Sequence, residues 1–389
     1  MSGRAGKKPA TPRGLAGPKA EKTVALALQG GGAHGAFTWG VLDQLLEDGR
    51  LAIEAVTGAS AGAMNAVVLL EGWSRDGPEG AREQLRKFWK RVSLDGVLSP
   101  IQRTLFDQFL GFWSAGGTPA HLWLNAWSQA ASPYELNPLD INPLRDLVDR
   151  AIDFDAIERH PKLKVFVSAT HVRTGKAVIF TGRRLDTRAV LASACLPMLF
   201  RAVEIDGEPY WDGGYSVNPA LAPLIHGCDS ADVMLVQINP LCRQEMPRRP
   251  AEIVDRVNEL NFNASLLTQM RAIEFLNRLV QEGSLSPARC KLVRVHRIDG
   301  GAELQSYPSS SRTSADGTLI QALFELGQAA ARQWLERHRA ALGRHGTVDI
   351  REDYLDDTLI GLPPLRPHPR TDAPWWRPWL GSLLRRRRA

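Results

Sequence analysis

The sequence lacks the features that mark several common classes of protein. Nowhere in its 389 residues is there a run of about 18 apolar residues, so the sequence does not predict a membrane-spanning helix. The first 22 residues contain no apolar segment of the kind found in secretory signals. The four cysteines are scattered and form no C-x-x-C pair, which argues against a zinc site or a disulfide framework. We therefore expect reduced thiols and a cytoplasmic protein.

Basic residues are concentrated at the two ends of the chain. Residues 1–22 hold six basic residues and one acidic residue, and residues 366–389 hold seven and one, although the net charge of the whole chain is only +6. The body between the two ends is therefore acidic. Because a nucleic-acid-binding domain carries its basic patch on the fold itself, this distribution argues against nucleic acid as a partner.

The two basic ends differ in composition. Residues 1–22 are rich in Pro, Gly and Lys without periodicity, and we expect them to be a disordered tail. Residues 346–389 form a second basic tail, in which Trp375, Trp376 and Trp379 precede four consecutive arginines. Such a segment suits peripheral contact with an anionic membrane, here the inner membrane surface. A disordered solubilising tail would explain the same composition.

The first part of the chain alternates between strand and helix patterns. Residues 23–28 form a short apolar run typical of a buried strand, and residues 36–47 carry apolar side chains on one face of a predicted helix. A second strand over residues 51–56 leads into a second helix from residue 61. This alternation predicts an α/β fold with a parallel sheet that is covered by helices.

A candidate nucleophile lies at the turn between the second strand and the second helix. Residues 58–62 read Gly-Ala-Ser-Ala-Gly, which is the G-x-S-x-G pattern of a nucleophile elbow. In such an elbow the backbone of the central serine is strained, and the serine lies at the tip of a sharp turn. Gly58 and Gly62 would let the strand and the helix pass closely, since neither glycine has a Cβ. The pattern therefore nominates Ser60 as a nucleophile.

The glycine-rich turn after the first strand has two functional interpretations. Gly30, Gly32 and Gly35 satisfy the G-x-G-x-x-G fingerprint of dinucleotide binding. The following strand, however, leads into Ser60 and not into the acidic residue that binds a ribose. Alternatively, the backbone N–H groups of residues 30–32 form an oxyanion hole, which stabilises negative charge on an ester oxygen. A tight turn without chemistry is the third explanation.

Asp212 is the candidate general base. It ends an apolar hairpin strand and directly precedes Gly213 and Gly214. Taken alone, an aspartate in a turn is the commoner explanation of such a pattern. Together with Ser60 and the glycine-rich turn, it completes a set of nucleophile, base and oxyanion donors. A Ser-Asp-His triad that uses His226 or His296 is the alternative.

These three motifs, in this order, resemble those of the patatin-like phospholipase family. The resemblance covers roughly residues 24–238 and includes the small-residue segment 193–197 that ends on a proline. It implies a three-layer α/β/α fold with a mainly parallel central sheet. It further implies a Ser-Asp dyad that hydrolyses acyl esters, usually of phospholipids or neutral lipids, without a metal or another cofactor.

The resemblance also assigns roles to individual residues. It makes Ser60 the nucleophile and Asp212 the general base, with the N–H groups of Gly31 and Gly32, together with Gly30, as the oxyanion hole. The supporting motif positions are Gly35, Gly58, Gly62, Gly213 and Gly214. Where the family often has Arg or Lys after the glycines, this chain has His34, whose charge depends on pH. We therefore treat His34 as a candidate contact to the lipid head group.

The same patterns suggest an organisation of the chain. We expect a catalytic domain over residues 23–240, and helices and a strand over residues 241–345 that pack on it. Residues 93–142 are rich in aromatic residues and interrupted by glycines. They are expected to form either an apolar cap over the site or short core helices.

The sequence therefore favours a serine acyl hydrolase that acts on lipid esters as a phospholipase A, a lysophospholipase or a lipase. A non-catalytic lipid-binding protein of the same fold is the main alternative. A dinucleotide-binding oxidoreductase is the weaker one.

Overall fold

The computed structural model describes residues 15–16, 20–93, 132–137, 139–158, 163–243, 246–307 and 317–355. A nine-stranded sheet forms its centre, with the main strand order β6-β7-β4-β3-β2-β8-β9, while β1 pairs with β3 and β5 pairs with β4. The strands are β1 Leu15–Ala16, β2 Lys22–Leu28, β3 Leu51–Gly58, β4 Lys164–His171, β5 Ala177–Phe180, β6 Val203–Ile205, β7 Glu208–Asp212, β8 Asp232–Gln237 and β9 Arg294–Asp299.

Five neighbouring strands of this sheet are parallel, and the others are antiparallel to their partners. The parallel set is β4, β3, β2, β8 and β9. The hairpin β6–β7 joins the edge of β4 in the antiparallel sense. The mainly parallel sheet predicted from the sequence is therefore confirmed.

Helices cover both faces of the sheet. The described helices are α1 Gly35–Asp48, α2 Ala61–Ser93, α3 Pro133–Leu136, α4 Pro143–Ala151, α5 Phe154–Glu158, α6 Thr187–Ser193, α7 Ala222–Gly227, α8 Pro250–Gln281, α9 Gly301–Ser306, α10 Gly317–His338 and α11 Ile350–Tyr354. The helix α2 is interrupted at Asp76 and Gly77, whose backbone angles are not helical. No helix within these ranges combines the length and the apolar character needed to cross a bilayer.

Two apolar clusters hold the layers together. Successive side chains of a strand point to opposite faces, and β2 follows this rule. Leu26 and Leu28 lie in a cluster with α1, α2 and α10, whereas Ala25 and Ala27 lie in a cluster with α7 and α8. Both faces of β2 are therefore buried, which explains why its sequence is continuously apolar instead of alternating.

The segment after residue 241 contributes to this same sheet. Its strand β9 pairs with β8, and its helix α10 packs closely on α1. Gly40 and Gly327 allow this contact, because a Cβ on either glycine would lie 2.0 or 2.1 Å from a carbonyl oxygen of the other helix.

Several predicted regions fall outside the described residues. Leu15 and Ala16, within the predicted disordered tail 1–22, form the short strand β1 beside β3. Of the predicted cap over residues 93–142, residues 94–131 and 138 are not described, and the remainder contains α3 and Asn142, the N-cap residue of α4. The tryptophans and arginines of the C-terminal tail follow residue 355 and also lie outside the described part.

Candidate active site

Ser60 lies at the sharp turn between the end of β3 and the start of α2. Its φ of 52° is in the left-handed region, which is unusual for a residue other than glycine. The Ser60 N–H donates to the Ser193 hydroxyl at 3.0 Å and to the Ser193 carbonyl at 3.2 Å. Met64 N–H donates to the Ser60 carbonyl at 3.0 Å and so begins α2. The strained turn is therefore held at both ends by hydrogen bonds.

The two glycines of the pentapeptide are required by close backbone contacts. A Cβ on Gly58 would lie 2.4 Å from the carbonyl carbon of Gly62, and a Cβ on Gly62 would lie 2.3 Å from the carbonyl oxygen of Leu28. Real Cβ atoms do not approach backbone atoms so closely. The spacing of glycines around Ser60 therefore reflects the packing of β2, β3 and the start of α2.

The glycine-rich turn packs directly against the turn that contains Ser60. A Cβ on Gly30 would lie 2.6 Å from the Ala59 carbonyl oxygen and 2.9 Å from Ser60 Cβ. The close approach that these glycines permit is thus to the serine turn, which favours the oxyanion interpretation over the dinucleotide one. Gly32 has a φ of 60° and begins a short 3-10 turn ahead of α1.

The structure corrects the prediction for one oxyanion donor. Gly30 N–H donates to Asn218 Oδ1 at 2.7 Å, so this group is already engaged. The N–H groups of Gly31 and Gly32 have no hydrogen-bond partner within the described residues. The available donors at the turn are therefore those of Gly31 and Gly32.

Asp212 ends β7 beside Ala169 of β4, and its side chain is fully buried. Gly214 N–H donates to Asp212 Oδ1 at 2.7 Å, and the Asp212 backbone is held by the Cys195 carbonyl and the Thr170 hydroxyl, each at 2.7 Å. The hydroxyl of Ser60 is close enough to the carboxyl group to lower its pKa. Neither Ser60 Oγ nor Asp212 Oδ2, however, makes a hydrogen bond of good geometry among the described residues.

The pKa of Asp212 reflects these surroundings. Burial raises the pKa to about 7, and the hydrogen bond from Gly214 N–H and the nearby hydroxyl of Ser60 only partly oppose this rise. An ordinary aspartate is a weak base for a hydroxyl, because its pKa is near 4. The shifted carboxyl is a stronger base, and a large fraction of it is still ionised at neutral pH.

Close contacts also require glycine at the two positions after Asp212. A Cβ on Gly213 would lie 2.1 Å from the Ser168 carbonyl oxygen, and a Cβ on Gly214 would lie 1.8 Å from the ring of Phe262. Phe262, on α8, also contacts the ring of Tyr215, with ring centroids 5.6 Å apart. The long helix α8 therefore closes one side of the Asp212 turn.

Sequence reasoning missed the polar side chains that support the site. Asn218 and Asn239 both bind Gly30, while Gln29 Oε1 accepts from the N–H groups of Ile238 and Asn239 at 3.0 Å. Ser193, which holds the elbow, was noted only as part of a small-residue segment. Asn218 and Asn239 each precede a proline, and this pattern alone does not indicate which peptide group the side chain will bind.

The histidines lie in different surroundings. His34 is 2% exposed and belongs to the short turn between the glycines and α1, and its contact with a head group stays a prediction. His296 lies on β9, three strands from β3, which corresponds to about 14 Å at the usual strand spacing. His226 precedes Gly227, whose carbonyl accepts from Lys164 at the start of β4. His226 therefore lies near the amino-terminal ends of the parallel strands, whereas Ser60 lies at their carboxyl-terminal ends. The structure brings neither His226 nor His296 to Ser60.

No cluster of three or more His, Cys, Asp or Glu side chains suited to a metal ion occurs within the described ranges. The prediction that the reaction needs no metal or other cofactor therefore rests on the family resemblance alone.

Comparison with known proteins agrees with the motifs. The family model of the patatin-like phospholipases matches residues 26–225, which is more than half of the chain. The chain therefore belongs to the patatin-like phospholipase family, and it is an enzyme of lipid ester hydrolysis. No curated protein shows significant sequence similarity to it.

Three solved structures are similar to the chain at low sequence identity. VipD from Legionella pneumophila is 15% identical, with a TM-score of 0.41 over 92% of this chain and 79% of VipD. Human GIVD cytosolic phospholipase A2 in complex with methyl gamma-linolenyl fluorophosphonate is 15% identical, with a TM-score of 0.38 over 82% of this chain and 59% of the human protein. The complex of SpcU with ExoU from Pseudomonas aeruginosa gives 16% identity and a TM-score of 0.28, with 92% and 84% covered.

Proposed function

We propose that the chain is a serine acyl hydrolase that cleaves carboxylic esters of lipids through a dyad of Ser60 and Asp212. One observation carries the proposal: a buried serine hydroxyl on a strained turn faces a buried carboxyl group whose pKa is raised to about 7. The N–H groups of Gly31 and Gly32 are available at the turn that packs against this serine.

The reaction has two halves. In the first, Asp212 accepts the hydroxyl proton of Ser60 while Oγ attacks the ester carbonyl carbon, and the N–H groups of Gly31 and Gly32 stabilise the negative oxygen. Asp212 then gives this proton to the leaving alcohol, which leaves an acyl group on Ser60. In the second half, water attacks the acyl group while Asp212 accepts a proton from the water. Return of that proton to Ser60 Oγ releases the carboxylic acid and restores the site.

The unpartnered polar atoms of the site favour catalysis over lipid binding alone. Ser60 Oγ and Asp212 Oδ2 are buried, and both lack a partner within the described part of the chain. A buried polar atom without a hydrogen bond destabilises a fold by about 1–3 kcal/mol. A lipid-binding protein would have no use for two such atoms side by side, whereas a hydrolase uses both in every turnover.

The proposed substrates are phospholipids, lysophospholipids or neutral lipids. Family membership supports this choice, and so does apolar surface on α8, the helix that packs against Gly214. On this helix Ile253, Val257 and Leu260 are 46%, 49% and 51% exposed, and their spacing places them on one face. Peripheral contact of the tail 346–389 with an anionic membrane is part of the proposal and rests on its composition alone. A cytoplasmic location is also proposed, on the basis of four unpaired thiols.

The test compares wild-type protein with Ser60→Ala and with the exposed control Ser284→Ala. Each is assayed for hydrolysis of a short-chain p-nitrophenyl ester and for labelling by a fluorophosphonate. We expect Ser60→Ala to lose labelling and about a thousand-fold or more of its turnover, and Ser284→Ala to match the wild type. Turnover and labelling of Ser60→Ala at the wild-type level would overturn the proposal. If the wild type neither labels nor hydrolyses any ester, including phospholipid vesicles, the lipid-binding alternative replaces it.

A further inference from the structure

The side chain of Asn218 binds both backbone polar groups of Gly30 in the glycine-rich turn. Its Oδ1 accepts from Gly30 N–H at 2.7 Å, and its Nδ2 donates to the Gly30 carbonyl at 3.3 Å. Asn239 Nδ2 donates to the same carbonyl at 2.8 Å. Both asparagines are almost fully buried, at 0% and 2% exposure. Gly30 is therefore fixed from outside, through two side chains distant in sequence.

Asn218 belongs to the same short segment as the candidate base. Between Asp212 and Asn218 the chain forms a tight turn, in which Val217 N–H donates to the Gly213 carbonyl at 2.8 Å. The turn is attached to α8 because Asn218 N–H donates to Ser265 Oγ at 3.1 Å. The segment that positions the carboxyl group of Asp212 therefore also binds the glycine-rich turn, through the side chain of Asn218.

Gly30 cannot be positioned by a side chain of its own, since Ser60 and Ala59 occupy the space where its Cβ would be. The two available N–H groups follow it directly in the chain. Donors to a developing oxyanion act only when they are held at hydrogen-bond distance from it, and a displacement of about 0.5 Å is enough to weaken a catalytic site.

We propose that Asn218 is a positioning residue for the oxyanion hole. Through Gly30 it holds the N–H groups of Gly31 and Gly32 at fixed positions relative to Ser60 and Asp212. This inference rests on the proposed hydrolase function. Asn218 does not itself contact the ester. It couples the segment of the base to the segment of the oxyanion donors, so that both keep a fixed geometry around the serine.

The chain offers a matched control at a distance from the site. Asn277 of α8 binds the backbone of Val293 in the same way. Its Oδ1 accepts from Val293 N–H at 2.9 Å, and its Nδ2 donates to the Val293 carbonyl at 2.8 Å. Asn277→Ala therefore removes the same pair of hydrogen bonds without touching the glycine-rich turn. Comparison of Asn218→Ala with Asn277→Ala separates positioning from a general loss of stability.

The experiment measures three quantities on the full chain: kcat per fluorophosphonate-titrated site, KM for the p-nitrophenyl ester, and affinity for an alkyl boronic acid. The boronic acid forms a tetrahedral adduct on the serine and so probes the oxyanion hole. For Asn218→Ala we expect kcat and boronate affinity each to fall by about 10- to 100-fold, with KM changed by less than about two-fold. Asn277→Ala is expected to keep all three values and to lose only thermal stability.

A second variant keeps the test decisive if Asn218→Ala does not fold. Asn239→Ala removes a donor to the Gly30 carbonyl, and with it a longer hydrogen bond to Gln29 Oε1 at 3.4 Å, but leaves Asn218 in place. We expect a smaller loss of kcat with the same unchanged KM. The inference is overturned if kcat of the folded variants stays within about three-fold of Asn277→Ala, or if KM changes while kcat and boronate affinity do not. If Ser60→Ala hydrolyses the ester as well as the wild type, the proposed function is wrong and the inference falls with it.

Discussion

Two aspartates of the central sheet are equally inaccessible but lie among different partners. Asp212 ends β7 and Asp232 begins β8, and their side chains are 0% and 3% exposed. Asp232 accepts two hydrogen bonds from Arg294, at 2.9 and 2.7 Å, and its Oδ1 lies 2.9 Å from His296 Nε2. Gly343 N–H donates to it as well. Among the described residues, the Asp212 carboxyl group has only Gly214 N–H and the nearby hydroxyl of Ser60.

These partners shift the two pKa values in opposite directions. Burial raises the pKa of both carboxyl groups, but at Asp232 the hydrogen bonds from Arg294 and His296 outweigh burial and hold the pKa below its ordinary value of 3.8. At Asp212 burial dominates and raises the pKa to about 7. Burial alone therefore does not indicate a catalytic carboxylate. A buried carboxylate with few partners is suited to accept a proton, and one with several hydrogen-bond partners that include an arginine is suited to anchor structure.

The largest expected effect of this difference is on turnover. Asp212→Asn removes the proposed base while keeping the size of the side chain, and we expect kcat to fall by about 10²- to 10⁴-fold. Asp232→Asn is the matched substitution and is expected to retain kcat per titrated active site. Both are measured with the p-nitrophenyl ester after titration with fluorophosphonate. If Asp212→Asn kept most of its turnover, the base would have to be another residue.

The second expected effect is on the dependence of activity on pH. Asp212 must be ionised to accept the proton of Ser60, so kcat/KM should fall as the pH drops through about 7. Two pH units below the midpoint, at pH 5, the loss should be about 100-fold. Asp232 is ionised throughout this range because its pKa is lowered. Its titration should therefore cause no change in kcat/KM across the pH profile. The measurement is kcat/KM from pH 5 to 9 with a substrate that does not titrate. A flat profile would show that no group with this pKa governs the reaction.

The local features of the site could be predicted from the sequence, whereas the difference between these two aspartates could not. The turn of Ser60 was predictable because its determinants are local: an apolar strand, two glycines at fixed spacing and a following helix. Asp212 was predictable as the end of a hairpin strand before two glycines. The sheet itself followed from alternating strand and helix patterns, and family resemblance supplied its class.

The remaining features depend on contacts between distant parts of the chain. Asn218 binds Gly30 across 188 positions of sequence, and no periodicity marks such an amide pair. The prediction that Gly30 donates to the oxyanion failed for this reason, because nothing near Gly30 in sequence shows that its N–H is already used. The partners of Asp232 lie on β9 and after α10, so the sequence could not distinguish an anchoring aspartate from a catalytic one.

A third expected effect is on stability, with opposite signs for the two residues. Asp232→Asn leaves Arg294 and His296 without their carboxylate, and we expect a loss of about 3–5 kcal/mol in the free energy of unfolding. Asp212→Asn should instead raise the melting temperature at pH 8. The folded-state pKa of Asp212 lies above its ordinary value of 3.8, so the wild type loses stability as the pH rises from about 4 to 7. Thermal unfolding at pH 5 and pH 8 tests both signs. A lower melting temperature of Asp212→Asn at pH 8 would contradict the account of an unfavourable buried charge.

The smallest expected effect concerns the histidine that accompanies Asp232. His296→Gln keeps a donor that can reach Asp232, and we expect kcat per titrated site to stay within about three-fold of the wild type. Its melting temperature should fall, because His296 is fully buried and packs edge-on against Trp334 with ring centroids 5.6 Å apart. The exposed His226→Gln should change neither quantity. If His296→Gln instead lost turnover as completely as Asp212→Asn while its melting temperature held, Asp232 and His296 would be two members of a triad. The roles of the two aspartates would then be exchanged, because a carboxylate that orients a catalytic histidine needs the low pKa of Asp232.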